Sequence, residues 1–325
     1  MPRHLRQVLI GAALLFLIAS VVLLIVLTTC LSTDSSTGTP PPSALTHRLR
    51  QHVETLCEHP RHGEHARHAR LYIEEQLRTA GWQVSLQEFT TEDGCTHCNI
   101  SALRAGASPQ RYIIGAHYDA CDTGTTNPGA DDNASAVAVL LELAHRLPAT
   151  SLNHTIELVA WDCEEPPYFD SSDMGSAHHA TGLAPEQIRG VICLEMLGYF
   201  SEEPGSQPML FPGYSLLLPT VGNFIAIVGD WKALSLARST YAELRRELPT
   251  LRLNIPFAHG TDLYLSDHRN YAPRNIPAIM VTDTAMLRNP HYHASSDLPT
   301  TLNYGNMARI TRALARTIRH LAAGD

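Results

Sequence analysis

Lysine is almost absent, with Lys232 the only one among 24 basic residues in a chain of 325. Arginine suits fixed ion pairs, but codon usage explains such a bias without any chemistry. No cluster of Lys and Arg occurs, and the formal net charge is -8. The footprint that a phosphate backbone requires is therefore missing, and no nucleic-acid partner is expected. Cysteine is sparse too. Cys30, Cys57, Cys95, Cys98, Cys121, Cys163 and Cys193 are too few and too scattered for a disulfide scaffold. Stability must come from a core, and 44% hydrophobic content supports one large domain. Cys95 and Cys98 have the spacing of a zinc ribbon or redox pair, but no second pair follows. A loop disulfide or two free thiols is the expectation there. No repeat of solenoid length is present.

The long apolar run lies at the start. Residues 8–31, VLIGAALLFLIASVVLLIVLTTCL, exceed a signal-peptide core and are long enough to cross a bilayer. Arg3 and Arg6 precede the run, and no Lys or Arg follows until Arg48. The positive-inside rule then sets the N-terminus in the cytoplasm and the rest of the chain in the periplasm or outside. A cleaved signal peptide competes with this anchor; a lipoprotein signal at Cys30 is disfavoured by Thr29. Residues 32–43, STDSSTGTPPPS, cannot bury apolar surface and read as a flexible linker. The expected organisation is a cytoplasmic tip and transmembrane signal anchor over 1–31, a linker over 32–43, and one folded domain over 44–325.

Within that domain, Leu49, Val53 and Leu56, then Ala69, Ile73 and Leu77, recur at helical spacing, broken near Pro60 and stopped by Gly81. Strands are expected over 84–89, 99–103, 112–116, 156–161, 191–196, 224–228 and 278–281. Helices are expected after Asn133, which can cap the run AVAVLLELAHRL, over 231–247, and over 307–322. Such alternation indicates an α/β sandwich with a mixed, mainly parallel central sheet.

Potential ligands stand just past the ends of these strands, where open α/β sheets assemble their sites. The strand RYIIGA delivers His117, and alternation puts Asp119 on the same side, able to fix the imidazole tautomer. Helix capping explains one of Asp131 and Asp132 but not both. Glu164 and Glu165 follow TIELVAWDC, and adjacent carboxylates there repel unless a cation or proton lies between them. Glu195 interrupts an apolar strand and needs the same compensation. His291 and His293 precede Asp297; neither alone would be notable in a chain with 18 histidines.

Together these residues resemble the cocatalytic dizinc exopeptidases, the family of aminopeptidase Y, bacterial leucyl aminopeptidases and glutamate carboxypeptidase II, with glutaminyl cyclase more distant. The motifs are GAHYDA around His117, PGADDNAS around Asp132, Glu164-Glu165 followed by two prolines, LEMLGY around Glu195, and HYHASSDLP around His293. They cover residues 45 to the C-terminus. The resemblance implies a three-layer catalytic domain, peptide substrates and two zinc ions, one on His117 and Glu195, the other on Glu165 and His293, bridged by Asp132. It further implies Glu164 as general base, Asp119 as the partner of His117, and His293 rather than His291, because Tyr292-His293 followed by Asp297 fits the family pattern. Ser266-Asp267-His268 matches a family loop near the site. Glu195 departs from the Asp of many relatives, which puts metal number and affinity in question. Cys163 reads as a small buried residue, with a thiol ligand as the lesser reading.

The expected activity is a membrane-anchored aminopeptidase. The alternatives are a glutaminyl-peptide cyclotransferase, a catalytically dead ectodomain, which a complete ligand set disfavours, and a carboxypeptidase using Arg274 or Arg288 as a carboxylate clamp. Three glycosylation sequons occur, at Asn99, Asn133 and Asn153, and Asn133 lies in the expected metal loop.

Overall fold

In the computed structural model the described residues are 30–31, 43–124, 127–147, 152–208, 219–254 and 264–324. The expected membrane span falls outside them except for Cys30–Leu31, and the linker except for Ser43. No helix among the described residues is long and apolar enough to cross a membrane. Cys30–Leu31 form a two-residue strand, β1, rather than the end of a helix. They pair antiparallel with the edge strand β8 (Thr250–Asn254), where unpaired backbone groups offer an extended segment hydrogen bonds.

Helix α1 (Ala44–Leu56) starts at Ser43, whose hydroxyl accepts from the Thr46 N–H while Thr46 reciprocates in a capping box. It buries Leu45, Leu49, Val53 and Leu56, and α2 (Arg67–Thr79) buries Ala69, Ile73 and Leu77, as the spacing required. Then come β2 (Gln83–Thr90), β3 (Thr96–Arg104) and β4 (Ser108–His117). Helix α3 (Ala136–Arg146) leads to β5 (His154–Trp161), and α4 (Gly175–Thr181) to β6 (Ile188–Glu195). The chain continues through β7 (Ile225–Gly229), α5 (Leu234–Leu244), β8, β9 (Ala278–Thr282) and α6 (Tyr304–Ala323).

One sheet runs in the order β1-β8-β7-β9-β6-β4-β5-β3-β2. Its centre, β9-β6-β4-β5, is parallel, whereas β7 on β9, and β3 between β5 and β2, are antiparallel. Helices α1, α3, α5 and α6 cover one face, and α4 with short 3-10 turns covers the other. Strand alternation sorts the core accordingly: Ile114, Leu158 and Ile192 face the large helical layer, while Ile113, Val159 and Val191 face the second. This is the expected three-layer α/β sandwich. At Gly115 a Cβ would stand 2.2 Å from the Trp161 ring, so the absence of a side chain lets that indole lie flat across the centre of the sheet.

Two expectations change. Asn133 does not cap α3: its amide donates to the Leu194 carbonyl and its oxygen accepts from the Met196 N–H. It thus ties the approach to α3 to the end of β6. Strand β8 was not read from the sequence, because five residues between Pro249 and Pro256 show little beyond the alternation of Leu251 and Leu253.

Candidate metal centre

Because β5 and β6 flank β4 on opposite sides, the connections diverge at its C-terminal end and open a crevice there. His117 is the last residue of β4 and Glu195 of β6, while Glu164 and Glu165 follow the end of β5 by three and four residues. Asp132 enters on the turn before α3, and His293 on a loop between β9 and α6, at φ 53°.

The two carboxylate oxygens of Asp132 face different histidines. Oδ1 lies 3.5 Å from His117 Nε2, and Oδ2 lies 3.2 Å from His293 Nε2. Glu195 Oε2 is 3.4 Å and Glu164 Oε2 3.9 Å from His117 Nε2, and Glu165 Oε2 is 3.0 Å from His293 Nε2. Asp119 Oδ1 stands 3.3 Å from His117 Nδ1, and its other oxygen accepts from the Glu165 N–H at 2.9 Å. His117, Asp119, Asp132, Glu164, Glu165, Glu195 and His293 therefore stand in this one place.

His291 is not part of it. Its Nδ1 bonds the exposed Ser296 hydroxyl at 2.9 Å. Asp131 is likewise turned away from Asp132, its oxygens accepting from the Gly198 N–H and the Asn289 amide. It also shares a hydrogen bond with Asp283, and burial and the Asp283 charge raise Asp131 well above the usual carboxylate range.

Both imidazole Nε2 atoms are buried without a hydrogen-bond partner, an arrangement that costs free energy unless a cation completes it. Burial disfavours the His117 imidazolium, but the Glu164 and Glu195 charges override that and raise it well above its ordinary value. For Glu164, burial and the neighbouring Glu195 and Glu165 charges outweigh the pull of His117, so its carboxyl is raised well above the usual range. Burial with the Asp132 charge lifts Glu165 to about 8. Imidazole nitrogens and carboxylate oxygens meeting around a common centre form a donor set suited to zinc.

Of the supporting groups, Ser266, Asp267 and Asp297 lie in motifs that the sequence singles out, and Arg61 is the one it does not reveal. Ser266 donates to Glu195 Oε2 at 2.6 Å, giving the Ser266-Asp267-His268 segment a definite contact. Asp267 is fully buried, and burial lifts it to about 7. Asp297 accepts from the Asp131 and Asp132 N–H groups, anchoring the loop that presents Asp132. Arg61, 1% exposed, donates to the carbonyls of Leu56, Tyr118, Pro128, Gly129 and Asp132. Gly129, at φ +56°, makes room for it, since a Cβ there would lie 2.8 Å from Arg61 Nη2. No signal in the run HPRHGEHARHAR separates Arg61 from its neighbours. The suggested carboxylate clamps are engaged elsewhere: Arg288 with Gln207 and the Phe224 carbonyl, Arg274 with the Leu183 carbonyl. Cys95 and Cys98 are free thiols, because Cys98 sits inside β3 and points into the core. Asn99 and Asn133 are fully buried, which excludes glycans at both.

The profile of peptidase family M28 matches residues 99–318. The Escherichia coli (strain K12) protein YfbL, itself uncharacterised, is 40% identical over 280 residues, 83% of this chain and 85% of its own. Leucine aminopeptidase 1 of Trichophyton equinum is 24% identical over 238 residues, covering 69% of this chain and 58% of the fungal protein. Among solved structures, Porphyromonas gingivalis glutaminyl cyclase superposes with a TM-score of 0.65 at 18% identity, over 86% of this chain and 100% of that one, a likeness of fold. The match to the family profile over most of the domain, and to YfbL over most of both chains, make this chain a member of peptidase family M28.

Proposed function

We propose that this chain is a zinc-dependent aminopeptidase that removes N-terminal residues from peptides. The observation that carries the reading is Asp132, whose two oxygens face two buried imidazole nitrogens, each also facing a glutamate carboxylate and neither hydrogen-bonded. His117 and Glu195 would hold one zinc ion, Glu165 and His293 the other, with Asp132 shared between them. Zinc bound in such a pair supplies Lewis acidity to a scissile carbonyl and lowers the pKa of water toward neutrality.

The chain's own residues do the rest. Glu164 takes the proton released when water attacks and delivers it to the leaving amine. Among the described residues no protein donor bonds its carboxylate, which stands 3.9 Å from His117 Nε2, close to the metal position and free for proton transfer. Asp119, 3.3 Å from His117 Nδ1, would orient the imidazole and leave Nε2 directed at the metal position. Ser266 keeps Glu195 from rotating away. Five buried carboxylates, Asp132, Glu164, Glu165, Glu195 and Asp267, offset two divalent charges, so no excess positive charge remains for a substrate carboxylate. With Arg274 and Arg288 engaged elsewhere, this favours recognition of a free α-amine over carboxypeptidase action.

The test is mass spectrometry on one peptide series with a free, an acetylated or a glutaminyl N-terminus. Release of the first residue only from free amines supports the reading. Loss of ammonia from the glutaminyl peptide, without release of Gln, would assign the chain to cyclisation instead. We further propose that the apolar run from residue 8 up to the strand Cys30–Leu31 anchors the enzyme in a membrane with residues 44–325 on the periplasmic or outer side, supported by Arg3 and Arg6 ahead of it. Recovery of the full chain in the soluble fraction after carbonate extraction would refute that anchor.

A further inference from the structure

Cys121 lies four residues past His117, at the wall of the crevice and 9% exposed. Its position is fixed by the backbone. The Cys121 N–H donates to Glu165 Oε1 at 3.1 Å and its carbonyl accepts from the Asn127 amide at 3.1 Å. The preceding Ala120 N–H is held by the Arg61 carbonyl at 3.0 Å. With Glu165 Oε1 occupied in this way, Glu165 Oε2 is the oxygen that faces His293 Nε2. The thiol itself, a carboxylate oxygen of Glu165 and an imidazole nitrogen of His293 all lie within 4.8 Å of one another.

From this geometry we infer that Cys121 is a protein ligand of the ion held by Glu165 and His293. The inference rests on the metal site proposed above and adds a donor to it. Cys121, Glu165 and His293 would supply three donors, and Asp132 Oδ2, 3.2 Å from His293 Nε2, would bring the set to four, the number that zinc takes in a closed site. On coordination the S–H proton is released to solvent and a sulfur–metal bond replaces it. The two ions then differ: the His117–Glu195 position has only nitrogen and oxygen donors and keeps an open place for substrate. The Cys121 position is the softer of the two and favours Zn²⁺ or Cd²⁺ over Mn²⁺.

A second cluster, His97, Asp162 and Cys163, has comparable spacing but does not carry the same argument. The Asp162 oxygens already accept from the Cys98 and Cys163 N–H groups and from the Tyr118 hydroxyl, so that carboxylate is satisfied within the protein. Cys163 therefore serves as a control for Cys121.

The experiment loads the full chain and its Cys121→Ser and Cys163→Ser variants with Co²⁺, and reads both bound cobalt and the near-ultraviolet sulfur-to-cobalt charge-transfer band. The expected result is a band in the wild type and in Cys163→Ser that disappears in Cys121→Ser while cobalt remains bound. Cd²⁺ affinity at one position should fall in Cys121→Ser by about 10-fold or more relative to Mn²⁺, the scale on which even groups behind the ligands act. Bound cobalt without the band, or a band that survives in Cys121→Ser, would overturn the inference and leave the metal site standing. A wild type that binds no cobalt at all would overturn both.

Discussion

Glu164 and Glu165 are neighbours in sequence with different surroundings. Glu165 is held by the Cys121 N–H and faces His293, whereas Glu164 has no protein donor among the described residues and looks toward His117 from 3.9 Å. Replacing Glu164 by Gln should lower kcat about 10²–10⁴-fold, the usual contribution of a positioned acid–base group, without changing zinc content by elemental analysis. Loss of zinc in that variant would make Glu164 a ligand instead. Arg61 gives the second test at this scale. Arg61→Met leaves a set of buried carbonyls unsatisfied and should cost about 3 kcal/mol in denaturant unfolding, with Arg61→Lys recovering only part because an ammonium cannot span the same acceptors. Legibility divides along the same line. Ligand residues could be read because a carboxylate in an apolar strand end needs a cation, which is visible in one dimension. Arg61 and Asp297 act on backbone groups distant in sequence and Ser266 on the Glu195 side chain, and only folding brings those together.

At the scale of elements, helices α1 and α3 are joined by Glu142, whose fully buried side chain takes two bonds from Arg48 at 2.7 and 2.9 Å with His52 nearby. Burial alone would raise this carboxyl, but His52 and Arg48 reverse the shift and hold it at about 2. Since the folded value lies below the ordinary one near 4.5, the stabilisation is present above about pH 4.5 and is lost as pH falls toward 2. Glu142→Gln should therefore unfold more easily than the wild type at pH 7, with the gap closing under acid; an equal gap at pH 2.5 and 7 would exclude this ion pair as the cause. Helix α6 buries Leu314 completely against the sheet, and Leu314→Ala should cost about 2–5 kcal/mol. Both helices announced themselves by a regular apolar period. Strand β8 did not, because a short edge strand between prolines needs its neighbour β7 to define it. The expected cap at Asn133 failed for a related reason: its amide found better partners at the end of β6 than at the start of its own helix.

For the whole molecule, the sheet order places β4 between β5 and β6, and that topology gathers residues as distant as His117 and His293 at one edge. Metal bound there is linked to folding: removing it with a chelator should lower stability by about 3 kcal/mol per site at a hundredfold excess over Kd, roughly 5–10 °C in Tm for a domain of this size. An unchanged Tm after complete removal would show that the loops bearing Asp132 and His293 do not need the ion. In this reading Asp132 joins two histidine-bearing halves into one zinc site. Zinc per chain, measured on folded wild type and folded Asp132→Ala, addresses it most directly. Two ions are expected in the wild type and none in the variant; full zinc occupancy in Asp132→Ala would exclude a shared role for Asp132.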